Sequence, residues 1–163
     1  MTRTLVAGIG NVFFGDDGFG CEVARRLAAR PPRDGVTVTD FGIRGLHLAY
    51  ELTSGYDAAI LVDAVARGGR AGTLYVIDPE VDRAPDAAPP PADGHGVDVA
   101  AVLATMRALG APPSRVVVIG CEVGTLGAGI GLSAELVRAV DPAVALVETL
   151  LADGRSAVEE GQP

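Results

Sequence analysis

Two carboxylates open the first candidate site. The stretch Gly8-Ile9-Gly10-Asn11-Val12-Phe13-Phe14-Gly15-Asp16-Asp17-Gly18-Phe19-Gly20 follows the apolar run Leu5-Val6-Ala7. It begins like the strand-turn-helix of a dinucleotide site, in which glycines and a positive helix end receive a pyrophosphate. The third glycine of that spacing is Phe13, however, and the helix opens on Asp16 and Asp17. Two acids at a helix N-terminus satisfy it themselves and repel a phosphate. The turn is suited to presenting a carboxylate to a cation.

Further groups join it if the chain folds as its pattern implies. Asp63 ends the apolar run Ala58-Ala59-Ile60-Leu61-Val62, and His95 lies in Asp93-Gly94-His95-Gly96 at the entry to a helix. Two carboxylates and one imidazole suit a borderline divalent transition metal with open positions. Each has an ordinary alternative: a helix-terminal charge for Asp17, a polar strand end for Asp63, a loop histidine for His95. Asp16, coming first, is the better helix cap. Asp98 could orient the His95 ring through its second nitrogen. The joint placement is a stronger signal than any one residue.

Asp40 closes the second strand, before Phe41-Gly42-Ile43-Arg44-Gly45. In a dinucleotide binder that acid grips the ribose; otherwise it orients substrate or water beside the metal rim. His47 reads as structural or exposed. Glu122, at the end of the fifth strand, could line the same cleft. The glycine-rich run Gly120 to Ser133 serves either a close peptide approach or a flexible connection. Serine chemistry finds no G-x-S-x-G, and Ser54, Ser114, Ser133 and Ser156 fall in cap, turn or tail contexts. Cys21 and His95 could form a thiol-imidazole pair, but Cys21 falls on a helix face expected to be buried.

The elements that must position these groups alternate. Strands are expected at Thr4–Ile9, Val36–Asp40, Ala58–Asp63, Thr73–Ile77 and Arg115–Ile119, and helices at Asp17–Ala29, Leu46–Ser54, Val97–Leu109 and Ser133–Leu151. Val23, Leu27 and Ala28 form the apolar stripe of the first helix, and Leu136, Val140, Val144 and Val147 that of the last. Pro142 should kink or break the last helix near Asp141. The link from Asp63 to Thr73 is too short for a parallel crossover, which takes a dozen or more residues, so the fourth strand should run antiparallel. The fold class is α/β: a three-layer α/β/α sandwich on a mixed, mostly parallel five-stranded sheet. Residues 1–152 form one domain, with a long loop over Pro79–Gly94 and a polar tail at 153–163 expected to be disordered.

Composition narrows the function. Among 163 residues, 48% are hydrophobic and the net charge is −8. With a pI near 4.6, nucleic acid is an unsuitable partner. No apolar run approaches the roughly 20 residues that cross a bilayer, and Met1-Thr2-Arg3 leads straight into a strand rather than a signal peptide. A cytoplasmic protein with reduced cysteines is the expectation. All 13 positive residues are Arg, which rules out a P-loop or Schiff-base lysine.

Taken in order, Gly8-Ile9-Gly10-Asn11 with Asp16-Asp17-Gly18, Asp40-Phe41-Gly42-Ile43-Arg44-Gly45, Val62-Asp63-Ala64, Gly94-His95, and Gly120-Cys121-Glu122 with Gly129-Ile130-Gly131-Leu132-Ser133 resemble the nickel–iron hydrogenase maturation endopeptidases. The resemblance runs from Leu5 to about Leu150. It implies a metal-dependent endopeptidase, aspartic-type or nickel-dependent, that removes a C-terminal extension from the precursor of the hydrogenase large subunit after nickel insertion. It further implies that Asp17, Asp63 and His95 contact the metal, with Asp40 joining them in the catalytic set. The nickel would come with the precursor, and no nucleotide cofactor is expected. The first of these positions is often Glu in the family, so Asp17 is a shorter variant. Some members carry Asp-Gly-Gly where this chain has Asp40-Phe41-Gly42. Two rivals remain: a Rossmann-like dinucleotide-binding protein, and a non-catalytic docking factor for hydrogenase assembly.

Overall fold

The computed structural model describes residues 2–80, 98–124 and 126–160. Strands β1 (Thr4–Ile9), β2 (Val36–Gly42), β3 (Ala58–Val65), β4 (Leu74–Ile77) and β5 (Arg115–Glu122) form one sheet in the order β2-β1-β3-β5-β4. Pairs β1·β2, β1·β3 and β3·β5 are parallel, and β4 runs antiparallel to β5. The expected mixed sandwich is therefore the observed one. Strand β1 is buried along its whole length, as central parallel strands are. The helices are α1 (Phe19–Ala28), α2 (Gly45–Leu52), α3 (Val99–Leu109) and α4 (Ala134–Glu160).

Alternation along the strands sorts two cores. Val6, Ile60, Val62, Ile119 and Cys121 face α1 and α4, meeting Phe19, Val23, Leu27 and the Leu136-Val140-Val144-Val147 stripe. Leu5, Ala7, Ile9, Ala59 and Leu61 face the other way, onto Leu48 and Leu52 of α2 and Val102 and Met106 of α3. Fully burying one such side chain contributes about 1.5–3 kcal/mol. The stripe of α1 includes buried Ala24 in place of the expected Ala28, which is exposed.

The link from β3 to β4 must pass over the C-terminal end of β5, because β5 lies between them. Backbone bonds hold this arch: Gly72 N–H to the Glu122 carbonyl (2.9 Å), Glu122 N–H to Thr73 (2.9 Å) and Val123 N–H to Val65 (3.0 Å).

Several boundaries move. Helix α1 begins at Phe19, after a 3-10 turn over Gly15–Gly18, and its N-cap residue is Gly18 with no side-chain cap, so Asp16 does not cap it. Helix α3 starts at Val99, where Asp98 accepts from Ala100 N–H at 3.0 Å. Helix α4 runs through Pro142 without a break. The missing proline N–H costs one backbone bond, which burial of the flanking Val140, Ala143 and Val144 offsets. It continues past Leu151 into the segment expected as a polar tail. The long loop from Pro79 lies mostly outside the described residues. No described helix is long and apolar enough to cross a membrane.

Candidate functional site at the rim of the sheet

Strand β1 leads through α1 to β2 on one side, and β2 returns through α2 to β3 on the other. The order reverses between β1 and β3, and their carboxyl ends frame the crevice where ligands of open α/β sheets sit. Asp17 follows β1 and Asp63 lies near the end of β3, so one acid stands on each side of it.

Glycines bring these segments together. A Cβ on Gly20 would sit 2.1 Å from the Val62 carbonyl oxygen and 2.4 Å from that of Ile9, so α1 rests directly on β1 and β3. Gly10, at φ 145°, lets the turn fold back against the Asp17 carbonyl, 1.9 Å from where a Cβ would lie. The dinucleotide-like spacing is thus explained by close helix–sheet packing.

The acids differ in their support. Asn11 N–H donates to Asp17 Oδ2 at 2.9 Å, and Asp17 is half-buried. Asp63 is buried, and its Oδ1 accepts from Ala64 N–H at 2.8 Å. Burial, followed by the charge of Asp17, pushes the Asp63 carboxyl well above the usual range; the Ala64 amide opposes this and Asp98 adds to it. Asp40 is exposed and accepts from Gly42 N–H at 2.9 Å. The thiol of Cys21, which donates to the Gly10 carbonyl at 3.4 Å, faces the same group. Burial, a bond to Asp40, and the charges of Asp40, Asp63 and Asp17 raise its pKa far above the ordinary thiol value. The same field keeps it protonated and disqualifies it as a nucleophile.

His95 lies outside the described residues, and among those described no three His, Cys, Asp or Glu side chains form a metal-holding group. The donor chemistry of the described pair, two carboxylates of which one is buried against the other's charge, fits a divalent cation. His47 is exposed on α2.

Two acids read differently in the sequence. Glu122 turns into the arch instead of the cleft: Arg67 N–H (2.8 Å), Gly69 N–H and Tyr75 O–H (3.2 Å) all donate to it. Burial raises its pKa, but these donors outweigh it and the net shift is downward. Asp16 is buried and braces the glycine-rich loop, accepting from Gly124 N–H (2.8 Å), Ser133 N–H (2.6 Å) and Ser133 O–H (2.9 Å). Gly129 also exchanges backbone bonds with Phe13 and Gly15 at 2.9 Å. That loop is fastened to the first turn.

Comparison with known proteins places this geometry. The sequence profile of the hydrogenase maturation protease family matches residues 21–150. A Methanocaldococcus jannaschii protein named for these proteases is 37% identical over 147 residues, spanning 88% of this chain and 92% of its own. The hydrogenase 2 maturation protease of Escherichia coli K12 is 30% identical over 162 residues, 96% and 94% of the two chains. The structure of the E. coli hydrogenase maturating endopeptidase HybD superposes with a TM-score of 0.81 at 26% identity, covering 94% of each chain. That of the [NiFe] hydrogenase maturation protease HycI from Thermococcus kodakarensis gives 0.75 at 26%, covering 93% of each. With the profile matched over most of its length, the chain belongs to the hydrogenase maturation protease family.

Proposed function

We propose that this chain is an endopeptidase that removes the C-terminal extension from the nickel-loaded precursor of a nickel–iron hydrogenase large subunit, gripping the substrate's own nickel through Asp17, Asp63 and His95. The observation that carries the reading is the pair of acids at the switch point. Asp63 is buried against the charge of Asp17, an arrangement that opposes itself until a cation arrives. Membership of the family and likeness to HybD and HycI support it.

The nickel is part of the substrate. A precursor without it gains none of the coordination bonds, so cleavage is coupled to correct loading. The metal polarises the scissile carbonyl when bound. The protein's part is to hold and to orient. Asp17, fixed by the Asn11 amide, and Asp63 supply anionic oxygens. Asp40, exposed at the end of β2, positions a water or the peptide. Water adds across the amide, the C–N bond breaks, and a carboxylic acid and an amine leave. Ligation requires deprotonated acids and a neutral imidazole, so activity falls in mild acid.

The test is the mass of a nickel-loaded precursor before and after incubation with the wild type, Asp63→Asn and His95→Ala. Loss of the extension with the wild type and its retention with both folded variants is the expected result. Unchanged mass with the wild type would leave a docking factor, and full cleavage by either variant would reject the ligand assignment.

A further inference from the structure

A groove of about 330 Å³ opens beside the rim acids, on the face of the sheet covered by α1 and α4. Its volume is at the lower end of the ~300–1,000 Å³ clefts that enclose ligands. Asp40 and Cys21 are among its lining residues, and Asp40 is the rim acid near the end of β2. The groove therefore reaches the candidate site at Asp40.

The walls are apolar. Val12 comes from the first turn, Ile130 and Leu132 from the glycine-rich loop, and Val137 and Val140 from α4. Ile130 is 80% exposed and Val137 53%. These side chains stand on braced elements, since Asp16 holds Ser133 and Gly129 is bonded to Phe13 and Gly15. An exposed apolar wall on a fixed loop is prepared for a partner.

Charge along the groove does not select an anion. Arg25 and Arg26 pair with Glu22 at 2.6 and 3.3 Å, and Arg26 also with Asp141 at 2.7 Å. The guanidinium charges are spent within the protein.

We propose that this groove takes an uncharged, apolar stretch of the precursor polypeptide next to the scissile bond, laying it from the α1/α4 face toward the rim. The proposal rests on the endopeptidase reading above and deepens it by naming the side from which the substrate enters. A peptide cut at the rim must lie along a surface leading to it. This groove meets the rim at Asp40.

Two experiments with the full chain decide it. A photoreactive benzoylphenylalanine in place of Val137, irradiated with nickel-loaded precursor, is expected to cross-link to the precursor's C-terminal region. A cross-link to a second copy of this chain, to a remote part of the precursor, or to nothing would overturn the proposal. In parallel, Ile130→Asp with Val137→Glu should raise KM for precursor processing about 10-fold or more, the loss expected when an apolar contact goes, with kcat within about twofold. Both positions are exposed, and a thermal melt matching the wild type verifies folding. An unchanged KM would reject the groove while leaving the endopeptidase reading intact. Wild-type protein that fails to cut would instead reject the reading beneath it.

Discussion

Asp16 and Asp63 are both carried almost wholly out of solvent, at 1% and 8% exposure, yet the chain treats them in opposite ways. Asp16 receives two backbone amides and a hydroxyl from a loop more than a hundred residues away. Those bonds offset the several kcal/mol that burying a carboxylate costs. Asp63 receives the amide of its neighbour Ala64 and faces the like charge of Asp17. Glu122 belongs with Asp16, because its donors keep it ionised. Two buried acids are saturated with donors, and the third has one backbone donor and faces the charge of another acid.

The widest separation between the two regions should appear in activity. Asp63→Asn, nearly isosteric, is expected to lower processing of nickel-loaded precursor by more than about 100-fold, the scale of losing metal polarisation. Cleavage assays with purified precursor measure this. Asp16→Ala tests the other side. It strands two amides and a hydroxyl and should cost about 3 kcal/mol, lowering Tm by roughly 10 °C in a chain of this length. A variant that melted like the wild type would contradict a bracing role for Asp16.

A smaller effect has the opposite sign. In metal-free protein near pH 7.5, Asp63→Asn should raise Tm by about 2–4 °C, the shift that 1 kcal/mol produces at this size, because it removes a carboxyl whose ionisation burial and Asp17 oppose. The pH dependence follows. The folded pKa of Asp63 lies above its unfolded value, so its stability contribution is fully present below about pH 4. It is lost as pH rises through the raised folded value, with Asp17 and Asp98 as the charges that face it. Asp63→Asn should flatten this part of the wild-type stability profile. Glu122 titrates the other way: its contribution is present above the unfolded glutamate pKa and is lost as pH falls through the depressed folded value. The smallest change is expected from Glu122→Gln, a loss of about 2 °C that shrinks toward acid, read by calorimetry across pH.

Local patterns in the sequence account for much of this architecture. Period and composition mark the strands, and the short link after Asp63 predicts the antiparallel β4 by length alone. The stripe on α4 is legible in the same way. What sequence hides is partnership at a distance. Asp16 reads as a helix cap because its true partners, Gly124 and Ser133, lie on a loop that only the folded sheet brings near. Glu122 reads as a cleft residue because an arch over β5 follows from strand order, which its neighbours in sequence do not encode. Asp40 and Asp63 are identifiable as strand-end acids and Asp17 as an acid of the turn after β1, whereas the close packing of α1 on β1 and β3 is a property of the folded chain. Pro142 shows the limit of a local rule, since burial along α4 overrides it.

The central claim is that the rim acids share a cation with His95. Crystals of this protein soaked in a nickel salt, with anomalous scattering recorded at the nickel edge, test it directly. The account predicts one ion with oxygens of Asp17 and Asp63 and a ring nitrogen of His95 each at about 2.0–2.3 Å, typical first-row distances. An ion bound elsewhere, or density placing the His95 ring out of reach of the two carboxylates, would contradict it.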